Sequence, residues 1–412
     1  MTIANEIMPS RQAPVIISLI FHPEMRGHFF EYHEAIGEAA RLNGCHHSVA
    51  VPMSWKNVTN RLPYNWHVCL DARNIVSSTS RLGFIGAVIP LGISLTRFLR
   101  KEMDRNVATT LFIDDFIFWE IPPLLISLFF LPRGNLSVWL LFRYKPDFDS
   151  MKQKALKKVV LPIMEMLLKR KNVRLLTDSE LVKRTIEGSF KRELTVMPVP
   201  HTEDINKLSQ KPRRSKDQQV IRCWLPGGPR KDKGIGVVRE IASTRSRAAR
   251  KICLIVGESA QLGQTKNGAG IELIPDFVDR RTYLKLMRTS NIVLLPYEAE
   301  RYSESTSGIF IEAVIAGSIP LVTPATWMAA ELLRYGLQKL ITDWQPAEVI
   351  PTILAVCRDH EIASRLEAMS RQYRRFHSTD SYALKMKDLL ERTDSHHRET
   401  KAREHRESAV VM

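Results

Sequence analysis

Residues 15–51 read VIISLIFHPEMRGHFFEYHEAIGEAARLNGCHHSVAV, and their rhythm decides the fold class. Val15 to Phe21 is an apolar run of strand length, the composition of a parallel strand buried on both faces. A loop carrying Pro23 and Gly27 follows. Phe30 to Leu42 then repeats apolar residues at helical spacing until Asn43-Gly44 stops it. Ser48 to Val51 predicts a second strand. Strand, loop, helix and strand in that order form the repeating unit of a doubly wound sheet.

Other apolar runs fit the same scheme. Ala108 to Ile113 ends in Asp114-Asp115, Val173 to Thr177 ends in Asp178-Ser179, and Val196 to Val199 precedes a proline. From residue 201 to 219 the chain turns polar and basic (HTEDINKLSQKPRRSKDQQ), which predicts a linker. The α/β rhythm then restarts. Val220 to Leu225, Lys251 to Val256, Gly270 to Ile274, Ile292 to Leu295 and Ile319 to Thr323 read as strands. Ile235 to Ser243, Arg281 to Met287 and Ile309 to Ala316 read as helices. The expected organisation is therefore α/β: two Rossmann-like doubly wound domains at 1–200 and 220–378, facing a central cleft. A terminal helix at 379–391 and a charged tail at 392–412, expected to be disordered, complete it. The tail's His396-His397 pair reads as solvated.

A chain of 412 residues suits two domains, since one core rarely serves more than about 250–300 residues. Hydrophobic residues make up 44% and charged residues 25%, which excludes a chain disordered throughout. The five cysteines are scattered without metal-ligand spacing and read as buried thiols of a reducing compartment. The N-terminus carries no pattern of a secretory signal. Two regions are strongly apolar, Phe84 to Leu99 and Ile117 to Leu141. Pro90 and Arg97 interrupt the first, and a series from Glu120 to Gly134 interrupts the second, so neither is expected to cross a membrane. The net charge of +16 calls for a polyanion: nucleic acid, an anionic bilayer or phosphorylated substrates. Basic residues from Lys152 to Arg192 alternate with acids at helical spacing, and no nucleic-acid module is visible.

Two segments carry chemistry. The loop from Pro226 to Gly234 (PGGPRKDKG) joins a strand to a helix. Small residues such as Gly228 let a phosphate approach the backbone, and Arg230, Lys231 and Lys233 add charge. The segment from Tyr302 to Thr323 (YSESTSGIFIEAVIAGSIPLVT) places Glu304 in a loop. Ser305, Thr306, Ser307 and Gly308 open a helix, and Glu312 lies about two turns into it. Free N–H groups there suit an anion, and carboxylates suit the hydroxyls of a sugar or ribose. An acid at that depth in a helix more often faces water, but the neighbours of Glu312 are almost all apolar.

At this point the chain resembles the retaining GT-B glycosyltransferases, in particular the GT4-like group with an E-x7-E motif. Glu304 and Glu312 match the two glutamates, the following AxxAGxxPLV matches that family's AxAxGxPVV, and GPRKDKG resembles its G-R-x-K-G loop, though with shorter Arg–Lys spacing. The resemblance covers roughly residues 14–375, loosely between Ser54 and Asn172. It implies transfer from a nucleoside-diphosphate sugar with retention, without cofactor or obligatory metal. Glu312 would hold the ribose, and Glu304 the donor sugar. Arg230 and Lys233 would offset charge on the leaving diphosphate. Gly27 and His28 lie where phosphates or the acceptor could be reached, with Asp114 or Asp115 beside the acceptor. A core or surface histidine and a simple turn are the plain alternatives. The expected acceptor is a glycan or lipid-linked saccharide of cell-surface assembly. The expected location is cytoplasmic, with an anionic membrane surface as a further partner and no nucleic acid. The region from Phe112 to Tyr144 suits lipid contact and a buried core equally. Alternatives are another GT-B sugar-nucleotide enzyme, an epimerase or glycogen-type synthase, and a basic nucleic-acid- or glycan-binding protein without activity.

Overall fold

The computed structural model describes residues 13–24, 29–72, 81–104, 107–131, 135–145, 158–159, 161–168, 172–200, 202, 220–263 and 266–392. Gly27, His28, the tail with His396-His397, and all of the expected linker except Thr202 lie outside them. The described residues form two compact units. One takes residues up to Asp178, Thr185–Met197 and those from Tyr382 on; the other takes Ser179–Arg184 and Pro198–Ser381.

The first unit is built on a seven-stranded sheet of order β3-β2-β1-β4-β5-β6-β7. Its strands are β1 (Val15–Leu19), β2 (His46–Pro52), β3 (Trp66–Leu70), β4 (Thr109–Ile113), β5 (Leu136–Phe142), β6 (Val173–Thr177) and β7 (Thr195–Val196). All pairings are parallel. Helix α1 (Phe29–Leu42) follows β1, α2 (Arg81–Glu102) precedes β4, and α3 (Ile121–Phe130) precedes β5. Helices α4 (Leu161–Leu168) and α5 (Glu180–Phe190) flank β6. β4 and β5 are buried along their whole lengths, as strands covered on both faces must be.

Contrary to the sequence expectation, Pro90 does not interrupt the first apolar region. It sits inside the 22-residue helix α2. The stretch Gly83–Glu102 is long and apolar enough to cross a membrane by length and composition, and half of it is buried. α2 packs closely on α3: a Cβ on Gly92 would lie 2.8 Å from Cβ of Ile126. Thr96 donates to the Gly92 carbonyl at 2.6 Å, and Ser127 donates to the same oxygen at 3.0 Å.

The second unit holds a five-stranded parallel sheet of order β10-β9-β8-β11-β12. The strands are β8 (Ile221–Trp224), β9 (Ile252–Gly257), β10 (Gly270–Ile274), β11 (Ile292–Leu295) and β12 (Ile319–Val322). Helices α6 (Ile235–Ser243), α7 (Arg280–Thr289), α8 (Ala299–Tyr302) and α9 (Gly308–Ala316) alternate with them. α10 (Trp327–Arg334), α11 (Pro346–Val356) and α12 (His360–Phe376) follow. Local sequence sets the limits of α9. Ser307 caps it by accepting from the Phe310 N–H at 3.3 Å, and Gly317 ends it at φ 72°, a conformation that favours glycine.

A last helix, α13 (residues 379–392), returns to the first unit. Its Tyr382, Ala383, Met386 and Leu389 are buried in one cluster with Ile16, Tyr32, Ile36, Phe112 and Trp139. Asn43 Nδ2 donates to the Ala383 carbonyl at 2.9 Å.

Candidate functional site

Both sheets carry a topological switch point. In the second unit β8 leads outward to β9 and β10, while its other neighbour β11 leads to β12. The loops at the carboxyl ends of β8 and β11 therefore diverge and leave a crevice, the usual ligand position in such sheets. These loops are Pro226–Gly234, which the sequence singles out, and Pro296–Ser307, which runs into the singled-out segment Tyr302–Thr323.

The structure draws the two loops together. The Glu298 N–H donates to the Asp232 carbonyl at 3.0 Å. Arg230 Nη2 reaches the Tyr302 hydroxyl at 3.2 Å and Asp232 Oδ2 at 3.2 Å, and the same hydroxyl donates to Asp232 at 3.0 Å. Arg301 also pairs with Asp232, at 3.3 Å. Gly234 makes the close approach feasible. Its φ is +76°, and a Cβ there would overlap the Pro296 carbonyl and lie 2.6 Å from the Pro296 ring.

Lys233 places its ammonium 5.3 Å from the centre of the Tyr297 ring. Burial lowers its pKa to about 8; Arg230 and Arg301 act in the same direction, and Asp232 opposes them. Arg230 and Arg301 both pair with the Asp232 carboxylate, and the Lys233 ammonium lies within their field. An anion with two negative charges at this point would relieve their mutual repulsion. Gly227, at φ +80°, and Gly228 keep the floor of the loop free of side chains.

Glu304 is half-buried between α8 and α9, and Ser305 and Ser307 are buried beside it, with Thr306 and Gly308 half-buried. Glu312 is fully buried. Its carboxylate accepts from Arg280 Nη1 at 2.9 Å and from the Tyr283 hydroxyl. Burial first, then the Glu312 charge, drives the Tyr283 phenol well above its ordinary pKa. Glu312 is therefore half of an internal ion pair. No part of the residue reaches the surface in this conformation. Arg280 and Tyr283 escape sequence reasoning, because helix α7 reads only as an amphipathic element.

In the first unit the switch point lies between β1 and β4, and Asp114 is the residue directly after β4. It is buried and stands 3.3 Å from His33 Nε2 and 3.5 Å from Arg143 Nη2. Arg143 also donates through Nε to the Asp114 carbonyl at 2.9 Å and through Nη1 to Asp178 at 3.1 Å. Its guanidinium lies 4.3 Å from the centre of the Tyr32 ring. Burial would raise the Asp114 pKa, but His33 and then Arg143 outweigh it and hold the carboxyl below its ordinary range. Asp115, half-buried, is raised to about 6, mainly by burial. Asp114, Arg143 and Asp178 each stand one residue past adjacent strands β4, β5 and β6. That shared position is a sequence signal for Asp178, which follows an expected strand, but not for Arg143, whose strand the sequence does not show.

No family model matches the chain, and no curated protein matches it by sequence. Solved structures match it by fold over nearly its whole length. The N-terminal domain of Candida albicans trehalose-6-phosphate phosphatase gives a TM-score of 0.64 at 12% identity, covering 92% of this chain and 97% of that one. A glycosyltransferase of Rickettsia africae gives 0.63 at 12% identity, covering 92% and 99%. A trehalose-6-phosphate protein of E. coli bound with UDP-2-fluoro glucose gives 0.60 at 11% identity, again covering 92% and 99%. At such identity the likeness is one of fold. Together with the two doubly wound sheets it establishes the GT-B architecture expected from the sequence.

Proposed function

We propose that the chain is a glycosyltransferase that moves a sugar from a nucleoside-diphosphate sugar to a hydroxyl of a glycan or glycolipid, with retention of configuration. The observation that carries this reading is the cationic crevice at the β8/β11 switch point. Arg230 and Arg301 there pair with one carboxylate, Lys233 lies within their field, and the capped start of α9 lies in the next loop. A diphosphate supplies the missing negative charge, and the cations stabilise it further as it becomes the leaving group. The neighbour in complex with UDP-2-fluoro glucose supports a donor of this class.

In this reading Glu304 contacts the transferred sugar. Glu312 receives a ribose hydroxyl when α7 yields the lone pair that now faces Arg280 or Tyr283. Asp115, a carboxyl held near neutral pH, and Asp114 orient the acceptor. The cytoplasm, where sugar nucleotides are made, is its place of action, and the chemistry needs no metal because side-chain cations do that work.

Calorimetric titration with UDP-, GDP-, ADP- and dTDP-sugars tests the reading. One donor should bind, and Lys233→Ala should weaken it by about thirtyfold, the worth of one charge-assisted contact. Binding by none of them, or binding that Lys233→Ala leaves intact, would sink it. The anomeric configuration of the product, read by NMR, tests retention.

A further inference from the structure

Helix α2 is polar on the wrong side. Between residues 83 and 96 its polar side chains are Ser94 and Thr96, and both are buried. Ser94 Oγ donates to the Leu91 carbonyl at 3.0 Å, and Thr96 is held by Gly92. The exposed residues are Gly83, Ile85, Gly86, Ile89 and Ile93. Ile85, Ile89 and Ile93 are 49%, 46% and 42% exposed. At four-residue spacing they fall within an arc of about 80° on one face. A helix facing water carries its polar residues outward.

The pattern changes abruptly in the last turns. Arg97, Arg100 and Lys101 continue along the exposed side. Arg100 Nη2 donates to the Phe130 carbonyl at 3.3 Å, which brings the end of α3 beside this basic turn. Phe129 and Phe130 there are 65% and 55% exposed. The acids nearest in sequence are Glu102, half-buried, and Asp104, exposed.

We propose that this face of the first unit docks on the surface of a bilayer that contains anionic lipid. The isoleucines and Phe129/Phe130 enter the boundary between headgroups and acyl chains, and Arg97, Arg100 and Lys101 meet the lipid phosphates. The helix lies on the membrane and does not cross it. Its opposite side, Ala87, Val88, Leu91, Leu95 and Leu99, is already buried within the unit. Charge selects the occupant. A second copy of a chain with net charge +16 would bring basic turn against basic turn, whereas an anionic surface offers the complement.

Vesicle co-sedimentation of the full chain decides it, with phosphatidylcholine alone and with phosphatidylglycerol added. The expected result is binding to the anionic vesicles, reversed by salt. Ile89→Asp/Ile93→Asp and Phe129→Ser/Phe130→Ser should each lower partitioning about tenfold or more. Arg97→Glu/Arg100→Glu should remove the preference for anionic lipid. Nucleotide-sugar binding and the thermal midpoint, measured on the same preparations, show that each variant is folded, and the first of these tests the donor reading separately. Absence of vesicle binding overturns the proposal. So does binding that all three variants leave unchanged. A concentration-dependent dimer dispersed by the isoleucine variant would also overturn it, by assigning the face to self-association.

Discussion

The affinity for a sugar nucleotide should fall as pH rises through about 8, because Lys233 must carry its proton to hold a diphosphate. Burial and the two neighbouring guanidiniums bring its pKa in the free protein down to about 8. Two added negative charges would raise it in the complex. Binding is then coupled to protonation: affinity is level well below pH 8 and declines above it. With a free-state value near 8, the protonated fraction drops from about nine-tenths at pH 7 to about one-tenth at pH 9, a loss of about tenfold in affinity. Near pH 8 each binding event should take up about half a proton. Titration calorimetry at pH 7, 8 and 9, in two buffers of different ionisation enthalpy, measures both quantities. Lys233→Arg keeps a charge over the whole range, so it should flatten the profile and abolish the uptake attributable to this residue. It also cancels any titration of the nucleotide base. An affinity flat from pH 7 to 9, or a slope identical in Lys233→Arg, would refute the assignment of this ammonium to the phosphates.

Gly234→Ala should cost about 3 kcal/mol, from a left-handed backbone and from collision with the Pro296 carbonyl; an unchanged denaturation midpoint would contradict the packing described. Glu312→Gln should destabilise the ligand-free protein by about 3 kcal/mol, since it removes the buried carboxylate charge that pairs with Arg280. Tyr283→Phe should cost only about 1 kcal/mol, and equal losses for the two variants would mean that the ion pair is not the dominant contact. His377 is buried and accepts the Val199 N–H through Nδ1 at 3.1 Å. Burial lowers its pKa to about 3, so the folded state binds fewer protons than the unfolded chain between that value and the ordinary histidine range. Stability must therefore fall as pH drops, by about 2 kcal/mol between pH 7 and pH 5 from this group alone. Urea titrations of wild type and His377→Gln at both pH values measure it, and a variant that loses as much as wild type would remove His377 as the cause.

Most of the fold could be read in advance wherever an apolar run closes on a turn residue. Val173 to Thr177, Gly270 to Ile274 and Ile292 to Leu295 appear as strands with the expected limits. β3 is only five residues long (Trp66–Leu70) and only its ends are buried, so its short run did not stand out as a strand. β5 was hidden for the opposite reason. It shares one apolar stretch with α3, and adjacent buried elements of different type cannot be separated by periodicity. In the second unit the charges of the Pro226–Gly234 loop stood out where a strand meets a helix, and the two glutamates by their place around a helix start and among apolar neighbours. The partners of Glu312 did not, since Arg280 lies 32 residues away in sequence and only folding brings it near.

The return of α13 to the first unit has a consequence for how the molecule is made. Tyr382, Met386 and Leu389 complete a core whose other members lie between Ile16 and Met197. During synthesis that core stays open until residue 389 has left the ribosome, and an apolar seam beside Tyr32 and Ile36 waits for its cover. A message cut short before residue 379 would leave the first unit unsealed. Helix α13 thus acts as a checkpoint: until it docks, the seam beneath it stays open to quality control.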